Sequence, residues 1–454
     1  MRNELKSRTQ FSRSRIAPDR PFGPQPQSTL TRSCAIILAI LVCLLIPCGF
    51  LGTPAAAQTI SSNFFGMQMH VGILGKQPWP GDSFGTIRFW DTNTGWADIN
   101  LSAGVYDWTT FDAWMATTKS HGITSLLYTF GKVPAWASSQ PSDGTCDYGP
   151  GECDPPNDLN ADGTGTDQHW KDFVRAVATH AAGRVKYWEV WNEPNILTRW
   201  TGTNAQLVRM AADARSIILG IDSSAILLSP CPAKGIAGTA NWLAAYFSAG
   251  GAKYADVIAY HAYVQHKGAY PVAEDVVTLI DNVSKVMAAY GQIGKPMWNT
   301  EGSWGKTSVT GFSNLDLEAS FAVRYILLQW SSGISRFYWF QWNNTNSSGV
   351  LWVPTPGKPA GTLLKPGVAY GEVYNWMVGA TMSNRCSEAS DHTWTCTLTR
   401  PGGYQALAIW NPSGTKSYTA PGEYKQYRTI YGQVYSLPAS HSMNIGTMPL
   451  LLEN

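Results

Sequence analysis

The sequence predicts an α/β protein, a (β/α)8 TIM barrel followed by a small antiparallel β-sandwich-like domain. Three observations support this fold class. Eight apolar, β-rich segments recur after residue 60, amphipathic helical patterns separate most of them, and the helical periodicity stops near Gly379. Strands that alternate with helices pair in parallel. Eight such units over about 320 residues are enough to close a barrel.

The predicted barrel strands are short runs of apolar residues. They are Phe64–Val71, Thr86–Trp90, Ser125–Phe130, Val185–Trp191, Ala225–Ser229, Asp256–Tyr263, Pro296–Thr300 and Arg336–Trp342. The predicted helices repeat apolar residues at i, i+3 and i+4. They are Trp108–His121, Asp167–Ala182, Asn204–Gly220, Ala240–Ala249, Ala273–Tyr290, Leu315–Gly333 and Pro366–Val378. The segment between the first two strands is rich in glycine and proline, which makes it a weak candidate for a helix.

Short β-rich runs and turn pairs replace the helices after Gly379. We therefore predict a barrel over residues 58–378 and a β domain over residues 379–454. Ile60–Ser62, just before the barrel, is a candidate extra strand of that domain. The predicted strands are Thr393–Thr399, Gln405–Trp410, Lys416–Tyr418, Tyr427–Tyr431 and Pro449–Leu452.

The composition excludes several classes of protein. Of the 454 residues, 44% are hydrophobic and only 14% are charged, which argues against a disordered chain or a coiled coil. The net charge is +2, and seven of the basic residues lie within residues 1–57. No basic field for nucleic acid is therefore predicted. The 20 tryptophans fit either a large core or the stacking of sugars, and composition does not choose between them.

The N-terminal 57 residues have the pattern of a secretory signal peptide. A basic region ends at Arg32, the apolar stretch Cys34–Leu51 follows, and three alanines at 55–57 offer a small-residue cleavage site. Cleavage after Ala57 would make Gln58 the first residue of a secreted or periplasmic protein. The alternative is an uncleaved signal anchor, and only in that case do we expect contact with a membrane. The sequence does not indicate an oligomeric state.

Five of the eight cysteines lie beyond the signal segment. Two close pairs, Cys146 with Cys153 and Cys386 with Cys396, predict two disulfides in an exported protein. Cys231 is left as a buried thiol. The chain has no pattern of cysteine and histidine that indicates zinc.

The long loop Ser138–Thr166 follows the third strand and contains a possible calcium-loop sequence. Asp158, Asn160, Asp162 and Gly163 have the spacing of an EF-hand start, but position 12 is His169 rather than glutamate. A turn-rich loop with Asx residues that cap their own backbone is the preferred interpretation. No metal and no cofactor are therefore predicted.

Two glutamates stand at the predicted ends of barrel strands. Glu193 lies in Trp-Glu-Val-Trp-Asn-Glu-Pro-Asn after the fourth strand, and Glu301 lies in Trp-Asn-Thr-Glu-Gly after the seventh. Barrel enzymes place catalytic groups at the C-terminal ends of strands. Two carboxylates that face one cleft can divide the roles of acid and nucleophile.

These two motifs resemble the clan A, or 4/7, superfamily of retaining glycoside hydrolases. Trp200-Thr201-Gly202-Thr203 and the ending at 449–453 make the chain most similar to family 39 and its relatives. The resemblance covers roughly residues 62–454 and implies hydrolysis of O-glycosidic bonds in oligo- or polysaccharides. It implies that Glu301 is the nucleophile and that Glu193 is the acid and base.

The resemblance also implies residues that bind the sugar or the nucleophile. Two tryptophans of the eighth strand compete for the floor of the sugar site, and we favour Trp342 because it lies nearer the strand end. The full set is Asn192, Arg88, His261, Tyr263, Trp342, Trp339, His70 and Trp136. A transglycosylase and a non-catalytic carbohydrate-binding barrel are the alternative functions. The sugar, the linkage and exo or endo action stay open.

Overall fold

The computed structural model describes residues 58–264, 270–305, 314–344 and 349–454. Eight parallel strands form a sheet in the spatial order five, four, three, two, one, eight, seven, six, which is the order of a barrel with strand one between strands two and eight. A parallel bridge between Leu228 and Val257 joins strands five and six and brings the two edges of the sheet together. The strands are Phe65–Gln68, Thr86–Phe89, Ser125–Thr129, Tyr187–Glu189, Ile226–Leu228, Ile258–His261, Met297–Gly302 and Ile334–Trp339.

Eight α-helices are described, and seven of them agree with the predicted helices to within a few residues. Only a one-turn 3-10 helix, Val71–Leu74, connects the first two strands. The short helix α1 was not predicted, because its four residues are too few for a periodic pattern. The helices α1 to α8 are Trp96–Ile99, Thr109–Ser120, Gln168–Ala181, Asn204–Ile221, Gly235–Ser248, Asp275–Ala289, Leu315–Ser331 and Lys365–Met377.

Local sequence explains where strand one packs and where α4 begins. A Cβ atom on Gly66 would lie 2.5 Å from the ring of Tyr338, so only glycine allows strands one and eight to approach this closely. Thr203 and Gln206 form a capping box, in which each side chain bonds to the backbone N–H of the other. Helix α4 therefore begins soon after the Glu193 motif, and the loop between them is short.

Antiparallel sheets follow α8. A two-stranded sheet pairs Lys416–Thr419 with Ser442–Ile445. Ile60 donates its N–H to the carbonyl of Ala380, and Thr59 forms a bridge with Thr381, but Ser62 already belongs to a 3-10 helix. The predicted strand Ile60–Ser62 is therefore wrong in its bounds. The six-stranded sheet has the spatial order Ser387–Glu388, Trp394–Arg400, Tyr404–Trp410, Leu450–Glu453, Gln426–Thr429 and Val434–Ser436.

Two hairpins on the barrel were not predicted. One pairs Asn100–Ser102 with Val105–Tyr106, and the other pairs Trp352–Thr355 with Lys358–Leu363. Their polar, glycine- and proline-rich sequences lack the alternation of a half-buried strand. Among the described residues, no helix is long and apolar enough to cross a membrane.

Glu274 connects the barrel to the C-terminal sheet. Its carboxylate accepts from the indole N–H of Trp410 at 2.7 Å and pairs with Arg324 of α7 at 2.9 Å. The barrel and the sheet belong to one compact unit. The division into two domains between residues 378 and 379 stays a prediction.

Both predicted disulfides are present, and Cys231 is a buried free thiol, as predicted. Cys146–Cys153 closes part of the long loop after strand three. Cys386–Cys396 joins the start of the C-terminal sheet to its second strand.

Replacing Cys386 and Cys396 together with serine should lower the free energy of unfolding by about 2–3 kcal/mol, because the bond closes a loop of ten residues in the unfolded chain. Urea unfolding of the double variant against the parent measures this loss. Peptide mapping without reduction should find both crosslinks. A mature chain with more than one free thiol would contradict the pairing.

Candidate active site

The fourth barrel strand delivers Glu193 to the C-terminal face of the barrel. Beyond the strand, Asn192 forms a parallel bridge with Cys231, and the N–H of Glu193 donates to the Cys231 carbonyl at 3.0 Å. Glu193 has a φ of +47°, in the left-handed region that non-glycine residues rarely adopt. These bonds to the neighbouring strand extension hold the unusual backbone. Such strain is typical of functional sites.

Glu301 lies on the seventh strand and faces Glu193 across the barrel mouth. Both side chains are buried, with relative exposures of 3% for Glu193 and 5% for Glu301. A carboxylate oxygen of each glutamate and a ring nitrogen of His261 lie within 4.8 Å of one another. Retaining glycosidases place their two carboxyl groups about 5–5.5 Å apart, whereas inverting enzymes need about 6.5–9.5 Å. One oxygen of each carboxylate therefore lies closer to the other than the separation typical of inverting enzymes.

Arg88 is the centre of the hydrogen-bond network beneath the two glutamates. Its guanidinium donates to the Glu301 carboxylate at 2.8 Å and to Glu189 at 2.9 Å. It also donates to the side-chain oxygens of Gln68 and Asn192, at 3.2 and 2.7 Å. The arginine is fully buried. One permanent cation thus pairs with two buried carboxylates and binds two further polar side chains.

Tyr263 completes the contacts of Glu301. Its hydroxyl donates to Glu301 Oε1 at 2.7 Å, while Arg88 binds Oε2. Burial, and then the charge of Glu301, raise the pKa of Tyr263 well above its ordinary value. The phenol therefore stays protonated and keeps donating. The two contacts bind different oxygens of Glu301 and so fix the orientation of its carboxylate.

His261 connects the two glutamates. Its Nδ1 lies 2.7 Å from Glu193 Oε1 and 3.7 Å from Glu301 Oε1. Burial, with the charges of Arg88 and Arg199, lowers the pKa of His261 well below its ordinary value. The imidazole is therefore neutral. We assign the imidazole proton to Nδ1, because the carboxylate of Glu193 is the acceptor beside that nitrogen.

Arg199 forms an ion pair with Glu193 that the sequence analysis did not anticipate. Tyr148, from the long loop, accepts a hydrogen bond from the amide of Asn192 at 3.4 Å. Glu189, Gln68 and Cys231 were also missed. In Trp188-Glu189-Val190-Trp191, Glu189 lies between two apolar neighbours. Because alternate residues of a barrel strand point inward, this pattern indicates a glutamate that faces the barrel interior. Arg199 and Tyr148 lie on loops and carry no periodic signal.

The remaining predicted residues divide into two groups. Trp342 lies at the end of strand eight, where its backbone N–H donates to the Gln68 carbonyl at 3.0 Å. His70 follows strand one, and its N–H donates to Asn343 at 2.8 Å. Both lie beyond the C-terminal ends of neighbouring strands, and their binding of sugar stays a prediction. Burial lowers the pKa of His70 below its ordinary value.

Trp339 and Trp136 lie elsewhere. Trp339 packs edge-on against Trp304 and Tyr370 in the layer between the barrel and its helices. Its prediction as a sugar-binding residue is wrong, because the strand presents this position to the outer core. Trp136 donates its indole N–H to the Asn100 carbonyl at 2.9 Å and packs against His169. It supports the long loop on the hairpin at residues 100–106.

The possible calcium loop is closed by its own hydrogen bonds. Asp158 accepts from the backbone N–H groups of Gln168 and His169, and Asp162 accepts from that of Thr164. The carbonyl at position 7 of the calcium-loop pattern, that of Thr164, accepts from the N–H of Asn160 at 2.8 Å. These contacts are those of a turn-rich Asx loop.

Comparison with known proteins supports the same chemistry. Residues 159–354, which include Glu193 and Glu301, match the family described as glycosyl hydrolase catalytic core. This segment is less than half of the chain, and it resembles the core of enzymes that act on carbohydrates. The resemblance to clan A enzymes of the family 39 type stays a prediction. Curated protein sequences yielded no match to this chain.

Solved glycoside hydrolases share the fold of this core at low sequence identity. A family 39 glycoside hydrolase from Bacteroides cellulosilyticus WH2 has 17% identity and a TM-score of 0.63, covering 87% of this chain and 82% of that one. A monomeric β-xylosidase from Caulobacter crescentus CB15 has 16% identity and a TM-score of 0.58, covering 87% and 97%. The catalytic domain of a family 30 xylanase C from Talaromyces cellulolyticus has 13% identity and a TM-score of 0.59, also covering 87% and 97%.

Arg88→Met should lower the free energy of unfolding by about 3–5 kcal/mol, because it leaves Glu189 and Glu301 buried without their cation. Turnover should fall as well, since Glu301 loses a bond that orients it. Arg88→Lys, which keeps the charge but cannot reach four acceptors, should fold better and still lose turnover. Urea unfolding and kcat measure the two effects.

Arg324→Met is the matched control, because it breaks a largely buried ion pair with Glu274 far from the carboxylates. It should lower stability while leaving kcat near the parent value. If Arg88→Lys also kept the parent kcat, the network would have only a structural role.

Proposed function

We propose that the chain is a retaining glycosidase in which Glu301 is the nucleophile and Glu193 is the acid and base. The observation that carries the proposal is the approach of one carboxylate oxygen from each glutamate to within 4.8 Å across the barrel mouth. This spacing suits direct attack on the anomeric carbon by one carboxylate while the other serves the leaving group.

In the first step, Glu301 attacks the anomeric carbon and the bond to the leaving oxygen breaks. The leaving oxygen takes the proton of Glu193, so a sugar ester of Glu301 and a neutral alcohol result. Arg88 and Tyr263 support this role, because they donate to the two oxygens of the Glu301 carboxylate and orient it. Their donors also stabilise the charge that returns to Glu301 when the ester is hydrolysed.

In the second step, Glu193 takes a proton from water, whose oxygen attacks the anomeric carbon from the vacated side. Formation of the ester removes the negative charge of Glu301, so Glu193 can change from acid to base. The neutral His261 contacts Glu193 in both states and fixes the direction of its oxygens. We assign Asn192, whose side-chain oxygen accepts from Arg88, to the 2-hydroxyl of the sugar.

A transglycosylase would follow the same first step and replace water by an acceptor sugar. A non-catalytic carbohydrate-binding protein is the less favoured alternative, since binding alone does not require two buried carboxylates that face each other. The β-xylosidase and xylanase among the structural neighbours make aryl β-xylosides the first substrates to test. Oligo- and polysaccharides follow, with mass spectrometry of the products to distinguish exo from endo action.

We also propose that the protein is secreted or periplasmic. Two disulfides among the described residues suit an oxidising compartment. The signal segment at residues 1–57 lies outside the described residues, so this part of the proposal rests on sequence alone.

Exported protein should begin at Gln58, because the signal peptide ends at the alanines 55–57. Intact-mass measurement of protein recovered from the medium or periplasm checks the cleavage. Replacing Ala55 and Ala57 with bulky residues should block cleavage at this site and leave the protein attached to the membrane fraction. Parent protein that keeps residues 1–57 would identify the segment as an anchor.

Glu301→Ala should reduce turnover by at least about 10³-fold on every substrate, because the covalent intermediate cannot form. Glu193→Ala should depend on the leaving group. A poor leaving group needs the proton and reacts slowly, whereas an activated aryl group leaves without it and the second step becomes limiting. Azide should then accelerate Glu193→Ala and yield a glycosyl azide of retained configuration. With Glu301→Ala, azide should yield the inverted product.

Nuclear magnetic resonance of the first sugar released by the parent enzyme gives an independent reading. The anomeric configuration should be retained. An inverted first product would exclude the double displacement, whatever the variants show.

A further inference from the structure

Arg199 lies on the loop that follows the fourth strand, six residues beyond Glu193. Its backbone is held at both ends, because its N–H donates to the Ile196 carbonyl at 2.9 Å and its carbonyl accepts from the indole of Trp191 at 3.1 Å. The guanidinium reaches back to the carboxylate of Glu193 and forms an ion pair with Oε2. The other oxygen, Oε1, faces His261.

The disulfide loop holds Arg199 from the opposite side. Asp147 Oδ2 accepts from Arg199 Nε at 3.0 Å, and the Asp147 N–H donates to the Thr198 carbonyl at 2.9 Å. The guanidinium lies over the ring of Tyr148, 5.7 Å from its centroid. The Cys146–Cys153 bond encloses both residues. The loop after strand three therefore reaches Glu193 through Arg199.

We propose that Arg199, held by Asp147, is a positioning residue that fixes the Glu193 carboxyl group and favours its ionised form. The proposal rests on the assignment of Glu193 as acid and base made above. A guanidinium keeps its charge at every working pH. An opposite charge in contact with a buried carboxyl group favours the ionised state, and the 3% exposure of Glu193 leaves little screening by solvent.

The two half-reactions respond to this contact in opposite ways. Arg199 opposes Glu193 as the acid of the first step, because it stabilises the form without the proton. It assists Glu193 as the base of the second step, for which the ionised form is required. Asp147 offsets part of the charge of Arg199. The Asp147–Arg199 pair therefore sets the pH at which Glu193 loses its proton, and with it the basic limb of the pH–rate profile.

Other titratable groups surround the glutamate pair and remain unchanged in the test below. They include Arg88, Glu189, Cys231, His261, Tyr263 and Glu301 on the barrel strands and their extensions, Asp91 after strand two, and Tyr148 on the disulfide loop. His261 does not account for the basic limb. Burial is the largest cause that lowers the pKa of His261 well below its ordinary value, and the charges of Arg88 and Arg199 lower it further. A difference between Arg199 and Asp147 variants thus reports on their own charges.

The experiment compares pH profiles of kcat/KM on an activated aryl glycoside and on one with a poor leaving group. Arg199→Gln should move the basic limb for the poor leaving group upward by about one pH unit or more, because the ionised form of Glu193 loses its cation. Asp147→Asn should move it downward, because Arg199 loses its counter-charge. Arg199→Lys, which keeps the cation, should stay nearer the parent than Arg199→Gln.

Arg385→Gln and Asp281→Asn are the matched controls, since these residues form an exposed ion pair at 2.8 Å away from the barrel mouth. Their profiles should coincide with that of the parent. Thermal unfolding of every variant shows which ones are folded. If Arg199→Gln and Asp147→Asn are folded and shift the limb in the same direction, or not at all, the proposal is wrong.

Glu193→Ala separates failure of this proposal from failure of the proposed function. If Glu193→Ala loses the basic limb and is accelerated by azide while Arg199→Gln keeps the parent profile, the acid and base role stands and the positioning role fails. If Glu193→Ala keeps the basic limb and azide has no effect, the assignment of Glu193 itself fails, and the positioning role fails with it.

Discussion

The buried guanidinium of Arg88 is the interaction on which the catalytic face depends. It brings together groups from strands one, two, four and seven, and it lies between two carboxylates that no solvent screens. An unpaired carboxylate in such a place would take up a proton and lose its value as a nucleophile. Without this one cation, Glu189 and Glu301 would both be buried with no arginine beside them.

The barrel strands position these groups, and the loops add further residues that contact them. Strand ends bring Glu193, His261 and Glu301 to one mouth with little freedom, because each is held by the ladder of hydrogen bonds to its neighbours. The disulfide loop then adds Asp147 and Tyr148, and the loop after strand four adds Arg199. A rigid scaffold thus supplies the carboxylate pair, and the loops control its protonation. This division is typical of barrel enzymes, whose chemistry varies with their loops.

Prediction from sequence succeeded where the chain has a period. The eight strands and seven of the helices were predicted because alternating burial requires repeated apolar residues, as in α6, where Val276, Leu279, Ile280 and Val283 form the buried face. Prediction failed for Trp339, because the sequence does not show which face of a strand an apolar aromatic residue occupies. It also missed α1 and the two hairpins, whose few residues are held by contacts with the loops around them.

The sequence by itself determined the barrel, the two disulfides and the two glutamates, because each leaves a local trace: a repeat, a close pair of cysteines, or a motif at a strand end. The resemblance pointed to Arg88, Asn192, His261 and Tyr263, and only the tertiary structure showed their contacts and added Arg199, Asp147 and Tyr148. Arg88 and Glu301 are 213 residues apart, Arg199 and Asp147 are 52 apart, and no local pattern links the members of either pair. Such contacts arise when the barrel closes, since closure alone brings distant strand ends and loops within hydrogen-bonding distance.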